Sequence, residues 1–279
     1  MDRVRDYLHL VKPRLSSMVV LSGVVGYWLG ASVIELSDLF WFTLGTFFVV
    51  GGANAINQVM ERESDGRMER TAHRPLPAGR IQLGEAVAVA AGLSAAGIGV
   101  LLVHSGVLPA LLGLGALLIY VLVYTPLKSR STWSTPAGAA AGAVPPLMGY
   151  SAASGGLGPL AWCLFGLLFL WQFPHTWAIA ATYRDDYARV GHRALPAAVR
   201  LQTIVMTVAL VAVSFAPASL GLSGWPYPIG AALLGSILIV AAVRFGGGVV
   251  RRRAIELLAA TLFYLPLVLA LLALDGKVS

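Results

Sequence analysis

The stretch from Asn54 to Arg80, NAINQVMERESDGRMERTAHRPLPAGR, has the residue types and spacing for chemistry on a phosphate ester. A helix of 3.6 residues per turn running through it puts Asn54, Asn57, Gln58, Glu61 and Asp65 on one stripe and Glu63 on the opposite side. Amide and carboxylate oxygens in such a row suit Mg²⁺. This cation shares its shell between one or two carboxylates, water and substrate phosphate oxygens, so the implied ligand is a diphosphate. Arg67, Arg70, Arg74 and Arg80 follow, and the guanidinium fork matches phosphate oxygens. Lys128, closing the run Tyr124-Thr125-Pro126-Leu127-Lys128, is a further phosphate contact or an interfacial anchor.

A second polar row lies in WQFPHTWAIAATYRDDYAR, residues 171–189. On a helical wheel Gln172, His175, Thr182, Asp186 and Arg189 share a face, with Pro174 placed to kink it. Polar groups within a membrane are costly and mark function, although a lone membrane histidine such as His175 is more often a hydrogen-bonded packing residue than a ligand. Asp186 ends on the same side as Glu61 and Asp65. Two acidic clusters with arginines beside them would clamp Mg²⁺ and a diphosphate while apolar helices hold a long hydrocarbon tail. That describes ionisation of an allylic diphosphate, in which cations neutralise the leaving group and a dry pocket shields the carbocation.

The elements that must position these residues are membrane helices. Hydrophobic residues make up 57% of the 279 positions and charged residues 12%, with a mean hydropathy of +0.77. These values exclude an ordinary soluble domain. Nine segments are long and apolar enough to span: 15–34, 39–57, 85–103, 107–124, 136–154, 160–181, 199–220, 227–245 and 254–273. Lysines and arginines cluster in the N-terminal segment and in alternate connections, and all of the 20 basic residues except Lys277 lie there. The positive-inside rule then makes the N-terminus cytoplasmic and the C-terminus external. The net charge of +7 follows from topology and calls for no nucleic acid. The first apolar run starts near Leu15, is long enough to span and lacks a small-residue cleavage site, so it reads as a helix rather than a leader. Cys163 lies in an apolar span and reads as packing. Gly51-Gly52 would let a neighbouring helix approach, and Pro145-Pro146 would break the fifth span beside a cavity.

Asn57-x-x-x-Glu61-x-x-x-Asp65 resembles the first Asp-rich motif of the UbiA-type intramembrane prenyltransferases. The longer run NQVMERESDGRMERTAHRPLPAG, with KPR at 12–14, PPLMGYSAASG at 145–155 and WQFPHTWAIAATYRDDYARVG at 171–191, is similar to the haem-farnesylating branch of that family. The resemblance implies an all-α membrane fold of nine transmembrane helices around a central cavity. It implies a single domain, 1–279, with cytoplasmic cap loops at about 58–84 and 183–198. It also implies transfer of farnesyl from farnesyl diphosphate to the 2-vinyl group of haem B, with water added, giving haem O and pyrophosphate, with a haem A synthase downstream; Asp2 and Asp6 among the N-terminal basic residues are unlike a transit peptide and favour a prokaryotic plasma membrane.

By the same resemblance Asn57, Glu61 and Asp65 form the first Mg²⁺–diphosphate motif and Asp186 belongs to the second. Arg70, Arg74 and Lys128 would contact the diphosphate, and Asn54, Gln172, His175 and Arg189 would line the substrate site. Haem B enters as substrate and Mg²⁺ as cofactor. Glu61 stands where many relatives carry Asp, and Val190 stands where a second acid commonly follows Asp186. A different acceptor, an aromatic quinone precursor or a chlorin, is the alternative within the enzyme class, and a transporter is the alternative outside it.

Overall fold

A backbone surrounded by lipid finds no water for its N–H and C=O groups, so apolar runs satisfy them internally as helices. In the computed structural model, which describes residues 2–128, 130–189 and 198–275, all regular structure is accordingly helical. The order is α1 (Asp2–Val11), α2 (Pro13–Gly30), α3 (Leu36–Met60), α4 (Arg62–Arg67), α5 (Leu83–His104) and α6 (Val107–Leu118). A π-helical turn, Ile119–Tyr124, leads to α7 (Thr125–Leu127), α8 (Ser134–Gly142) and α9 (Val144–Ser154). Then come α10 (Pro159–Thr182), α11 (Arg184–Arg189), α12 (Ala198–Ser214), α13 (Ala216–Ser219), α14 (Pro226–Gly246) and α15 (Arg251–Asp275).

Among the described residues, 7 helices are long and apolar enough to cross a bilayer alone. Counting α1 and α2, which meet at a bend of 41°, as one broken span makes 8. The expected nine are not reached on this measure, because the predicted span 136–154 is two shorter helices. The hydrogen-bond ladder of α8 stops at Ala143, and Pro145 and Pro146 sit in the first turn of α9, where a missing N–H costs nothing. The break comes where the sequence places it, and the proline pair packs on α2. Their carbonyls meet Gly23 and Gly26, and a Cβ on Gly149 would stand 1.9 Å from the Gly23 carbonyl oxygen. The predicted cap loop 183–198 is described only in part, since residues 190–197, including Val190, lie outside the described residues, as does Lys277.

The chain forms two compact units. One comprises Met1–Gly156 with Asp185–Arg193, and the other Leu157–Arg184 with Ala194–Ser279. Within the first, α3 packs along α5, and Gly52 lets Ser94 and Ala90 approach so closely that a Cβ would meet Ser94 Oγ at 2.3 Å. The connection from α4 to α5 is held down by apolar side chains. Leu76 and Ile81 join Leu10 of α1, Ala55 of α3, and Ala86 and Ala90 of α5 in one buried cluster. This anchor gives a charged, turn-rich segment one conformation. Within the second unit, α10 packs on α12 and α15, and α14 on α15. Buried hydroxyls of Ser214 and Tyr264 share a hydrogen bond, and Asp275 accepts from the Tyr227 N–H at 2.9 Å.

Candidate active site

Helix α3 ends at Met60, and Glu61 takes a non-helical φ/ψ of −93°/7° before α4 begins. Helical hydrogen bonding nevertheless crosses the kink, from Glu61 N–H to Asn57 O at 2.9 Å and from Asp65 N–H to Glu61 O at 2.8 Å. The residues of the predicted stripe therefore stay close, with Asn54, Asn57, Gln58 and Asp65 buried and Glu61 partly so. Their side chains divide between two tasks. Gln58 Nε2 donates to Leu10 O at 2.7 Å and His9 O at 3.2 Å, tying down the carbonyls that end α1. Asn54 Nδ2 donates to Ser16 Oγ at 3.1 Å, and Ser16 passes its own proton to Val11 O. Asn57 Nδ2 donates to Thr125 Oγ1 at 3.4 Å, and Thr125 donates to Tyr120 O at 2.8 Å. Because the Thr125 hydroxyl is committed as a donor there, it can only accept from Asn57, which leaves the amide oxygen as the open end.

Both carboxylates at the core of this site carry a cation. Arg74 Nη1 lies 2.6 Å from Asp65 Oδ2, and Lys128 Nζ lies 2.8 and 3.1 Å from the two Glu61 oxygens. The Asp65 side chain is 2% exposed and that of Arg74 20%; those of Glu61 and Lys128 are 14% and 23%. Asp65 is held from its backbone as well, its carbonyl accepting the Thr71 hydroxyl at 2.8 Å. Ion pairs this well shielded are far stronger than surface pairs, and each keeps a cation at the mouth of the site.

Lys12, to which sequence reasoning assigned no role, joins this group. It forms the junction ahead of α2 with φ 49° and ψ 62°, a left-handed conformation that is uncommon outside glycine and avoids the helical geometry that Pro13 disfavours. Burial pushes its ammonium down to about 8, helped by Arg74 and Lys128 and opposed by Glu61 and Asp65. The signals for it in the sequence were a lysine directly before the proline that starts a helix and its place in the KPR run at 12–14.

Other predicted residues fall elsewhere. Arg80 is taken up by Asp6 at 3.1 and 3.2 Å and by the His73 carbonyl, so it clips α1 to the loop. Arg67, at the end of α4, and Arg70, on the loop that follows, are exposed. Arg189 pairs with Glu69 at 3.0 Å and Asp186 at 3.5 Å, which brings the Asp186 helix turn to the α4–α5 connection within the first unit. The continuous stripe from Gln172 to Arg189 is not formed. Tyr183, at φ −111° and ψ 30°, separates α10 from α11, and Gln172 and His175 belong to the second unit. Among the described residues, no three of His, Cys, Asp and Glu converge into a complete metal shell. What the first unit presents is a paired set of acids and cations around an open amide oxygen. That donor set suits a phosphate group accompanied by a hard cation and not a soft metal.

Comparison with known proteins places the chain in a family. The model of the UbiA prenyltransferase family matches residues 19–265. The chain is 41% identical to protoheme IX farnesyltransferase of Solibacter usitatus over 98% of its own length and 99% of that protein's. It is 41% identical to the protein of that name from Opitutus terrae, covering 97% and 94% of the two chains. Among solved structures it resembles digeranylgeranylglyceryl phosphate synthase with a TM-score of 0.84 at 20% identity, over 99% of both chains. It also resembles a UbiA homolog from Archaeoglobus fulgidus bound to GPP and Mg²⁺, with a TM-score of 0.68 at 15% identity over 96% and 99% of the two chains. At such identities the structural likeness speaks for the fold.

Proposed function

The chain belongs to the UbiA prenyltransferase family, and from that premise we propose that it transfers farnesyl from farnesyl diphosphate to the 2-vinyl group of haem B, with addition of water, giving haem O and pyrophosphate. The acceptor follows from the near full-length identity to protoheme IX farnesyltransferases. The observation that carries the donor half is the pair of shielded couples, Asp65 with Arg74 and Glu61 with Lys128, beside the open amide oxygen of Asn57.

Asn57, Glu61 and Asp65 would hold Mg²⁺ at the first motif and Asp186 at the second, each shell completed by diphosphate oxygens and water, and the metal when bound supplies neutralisation of the charge that develops on the departing diphosphate. The chain's own cations do the rest. Arg74 and Lys128, set at the site by the carboxylates they pair with, turn to the diphosphate oxygens, and Arg70 and Lys12 add donors from the loop and from the start of α2. Arg189 holds Asp186 through its ion pair, while Asn54 bonds to Ser16 and so stiffens the approach of α2 to α3. Apolar helices keep water from the allylic cation until the vinyl carbon attacks, and bond formation itself needs no general base. The whole chain is read as one catalytic domain, with cap segments expected at 58–84 and 183–198, of which 190–197 lie outside the described residues. It would lie in a prokaryotic plasma membrane with its N-terminus inside and C-terminus outside, the topology that the lysine and arginine distribution supports if α8 and α9 together cross as one broken span.

Membranes carrying the protein, incubated with haem B, farnesyl diphosphate and Mg²⁺, yield a farnesylated, hydrated porphyrin by mass spectrometry. Prenylation of 4-hydroxybenzoate with haem B left untouched would replace the proposed acceptor. A pH dependence follows from Lys12. Its folded pKa lies below the ordinary lysine value, so the side chain is charged below about pH 8 and loses its proton as pH rises through that point. Metal-free affinity for farnesyl diphosphate therefore falls as pH rises from about 8. Lys12→Met binds about tenfold more weakly at pH 7 and is flat over that rise in pH, by isothermal calorimetry. A wild-type slope persisting in Lys12→Met would assign the titration to another group.

A further inference from the structure

His175 is held in the second unit by contacts that leave one of its nitrogens bare. Its ring stacks on Trp171 with centroids 4.3 Å apart and 18° between planes, and Trp171 is fixed by its Nε1–H donating to Thr261 O at 2.8 Å. His175 Nδ1 lies 3.0 Å from Thr261 Oγ1, and that hydroxyl donates its single proton to Leu258 O at 2.7 Å. Towards His175 it can only accept, so Nδ1 carries the hydrogen and Nε2 keeps its lone pair. Among the described residues no hydrogen-bond partner takes Nε2. On this stretch of α10, Phe173, Pro174, Trp177 and Ala178 are buried, whereas Trp171, Gln172, His175, Thr176 and Ile179 are partly exposed. The imidazole thus lies on the accessible stripe. A histidine serving only as packing in so apolar a helix would satisfy both nitrogens, because an unpaired polar atom in lipid is costly.

An imidazole that donates from Nδ1 to a fixed oxygen and offers Nε2 has the tautomer and orientation of a metal-bound histidine, and imidazole is a natural ligand for iron. We propose that His175 is an axial ligand to the iron of the metalloporphyrin acceptor, with Thr261 and Trp171 as the positioning residues that set its tautomer and plane. This rests on haem B being the acceptor, as proposed above, and adds that the substrate is gripped through its metal.

The test titrates purified full-length protein in detergent with ferric haem B and, separately, with metal-free protoporphyrin IX. Wild-type protein shows the optical and electron paramagnetic signature of histidine-ligated iron. His175→Gly loses that signature and binds haem B about tenfold to a hundredfold more weakly, keeps its affinity for protoporphyrin IX, and regains the signature on addition of imidazole. Thr261→Val retains ligation with affinity lowered by about tenfold. Two results overturn the assignment: His175→Gly binding haem B with wild-type spectrum and affinity, or losing both porphyrins equally without rescue by imidazole. Farnesyl transfer measured alongside separates the two readings. Haem farnesylation with an unchanged His175→Gly spectrum removes the axial ligand alone, whereas wild-type protein that neither binds nor farnesylates haem removes the acceptor as well.

Discussion

Asp65→Ala abolishes farnesyl transfer and leaves a folded protein. The Asp65 side chain is almost fully buried, accepts Arg74 at 2.6 Å and sits at the centre of the proposed diphosphate site. On the proposed mechanism its loss removes one oxygen ligand for a divalent cation and the group that aims Arg74, both of which would act on charge that develops in the transition state. Removing a single preorganised electrostatic group of this kind typically lowers turnover by a factor of about a hundred to a thousand, and here two effects are lost together. Stability changes less. Arg74 retains 20% side-chain exposure and can turn its charge to water, so the fold loses about 1–3 kcal/mol rather than the larger penalty of a charge stranded in a dry core. Asp65→Asn keeps the shape and the Thr71 contact to the backbone, and it too should lose at least about a hundredfold in kcat/KM. Thermal unfolding in detergent and mass-detected turnover check the two halves; wild-type turnover in either variant would remove Asp65 from the site.

The largest effect on the fold comes from Gly149→Val. A Cβ at this position would stand 1.9 Å from the Gly23 carbonyl oxygen and 2.7 Å from the Tyr27 nitrogen. Both neighbours are backbone atoms of α2, so no side-chain rotation relieves the clash. Accommodation requires α2 and α9 to separate, which also lifts Pro146 from Gly26. The cost exceeds the usual 1–3 kcal/mol of overpacking, and monodisperse protein is lost on size-exclusion chromatography. Gly99→Ala is the matched control, since nothing lies within 4 Å of its Cβ position and alanine is the better helix former. Equal yields and melting temperatures for the two variants would show that the α2–α9 contact is not what holds this unit.

How far the site was legible depended on the distance over which each fact is decided. The row Asn57, Glu61, Asp65 could be read from spacing because helical geometry is local, and it survives a kink at Glu61 because the i→i−4 bonds run on across it. Gln58 and Arg80 carried the same local signal and went elsewhere. Their partners, the α1 carbonyls and Asp6, lie 48 and 74 residues away for the shortest bonds, beyond any local period. Lys12 shows the reverse: a residue with an ordinary local explanation, a basic group before a helix-starting proline, is brought by tertiary folding among Glu61, Asp65, Arg74 and Lys128. The second polar row was misread as continuous because a wheel assumes one straight helix, and nothing in the pattern announces the turn at Tyr183.

By itself the sequence determined that this chain would be all helix in a membrane, that hard oxygen ligands and guanidinium groups would gather near the end of its second apolar run, and to which family it belongs. Those facts rest on lipid as solvent, on the helical period and on side-chain chemistry, each expressed within a few turns. Only the tertiary structure decided that Thr125 meets the Asn57 amide, that Lys128 and Arg74 take Glu61 and Asp65, that the prolines of the broken fifth span pack on α2, and that Thr261 lies beside His175 Nδ1. A hydrogen has one acceptor and a buried charge needs a partner, and which atom fills that place depends on which distant helix arrives beside it.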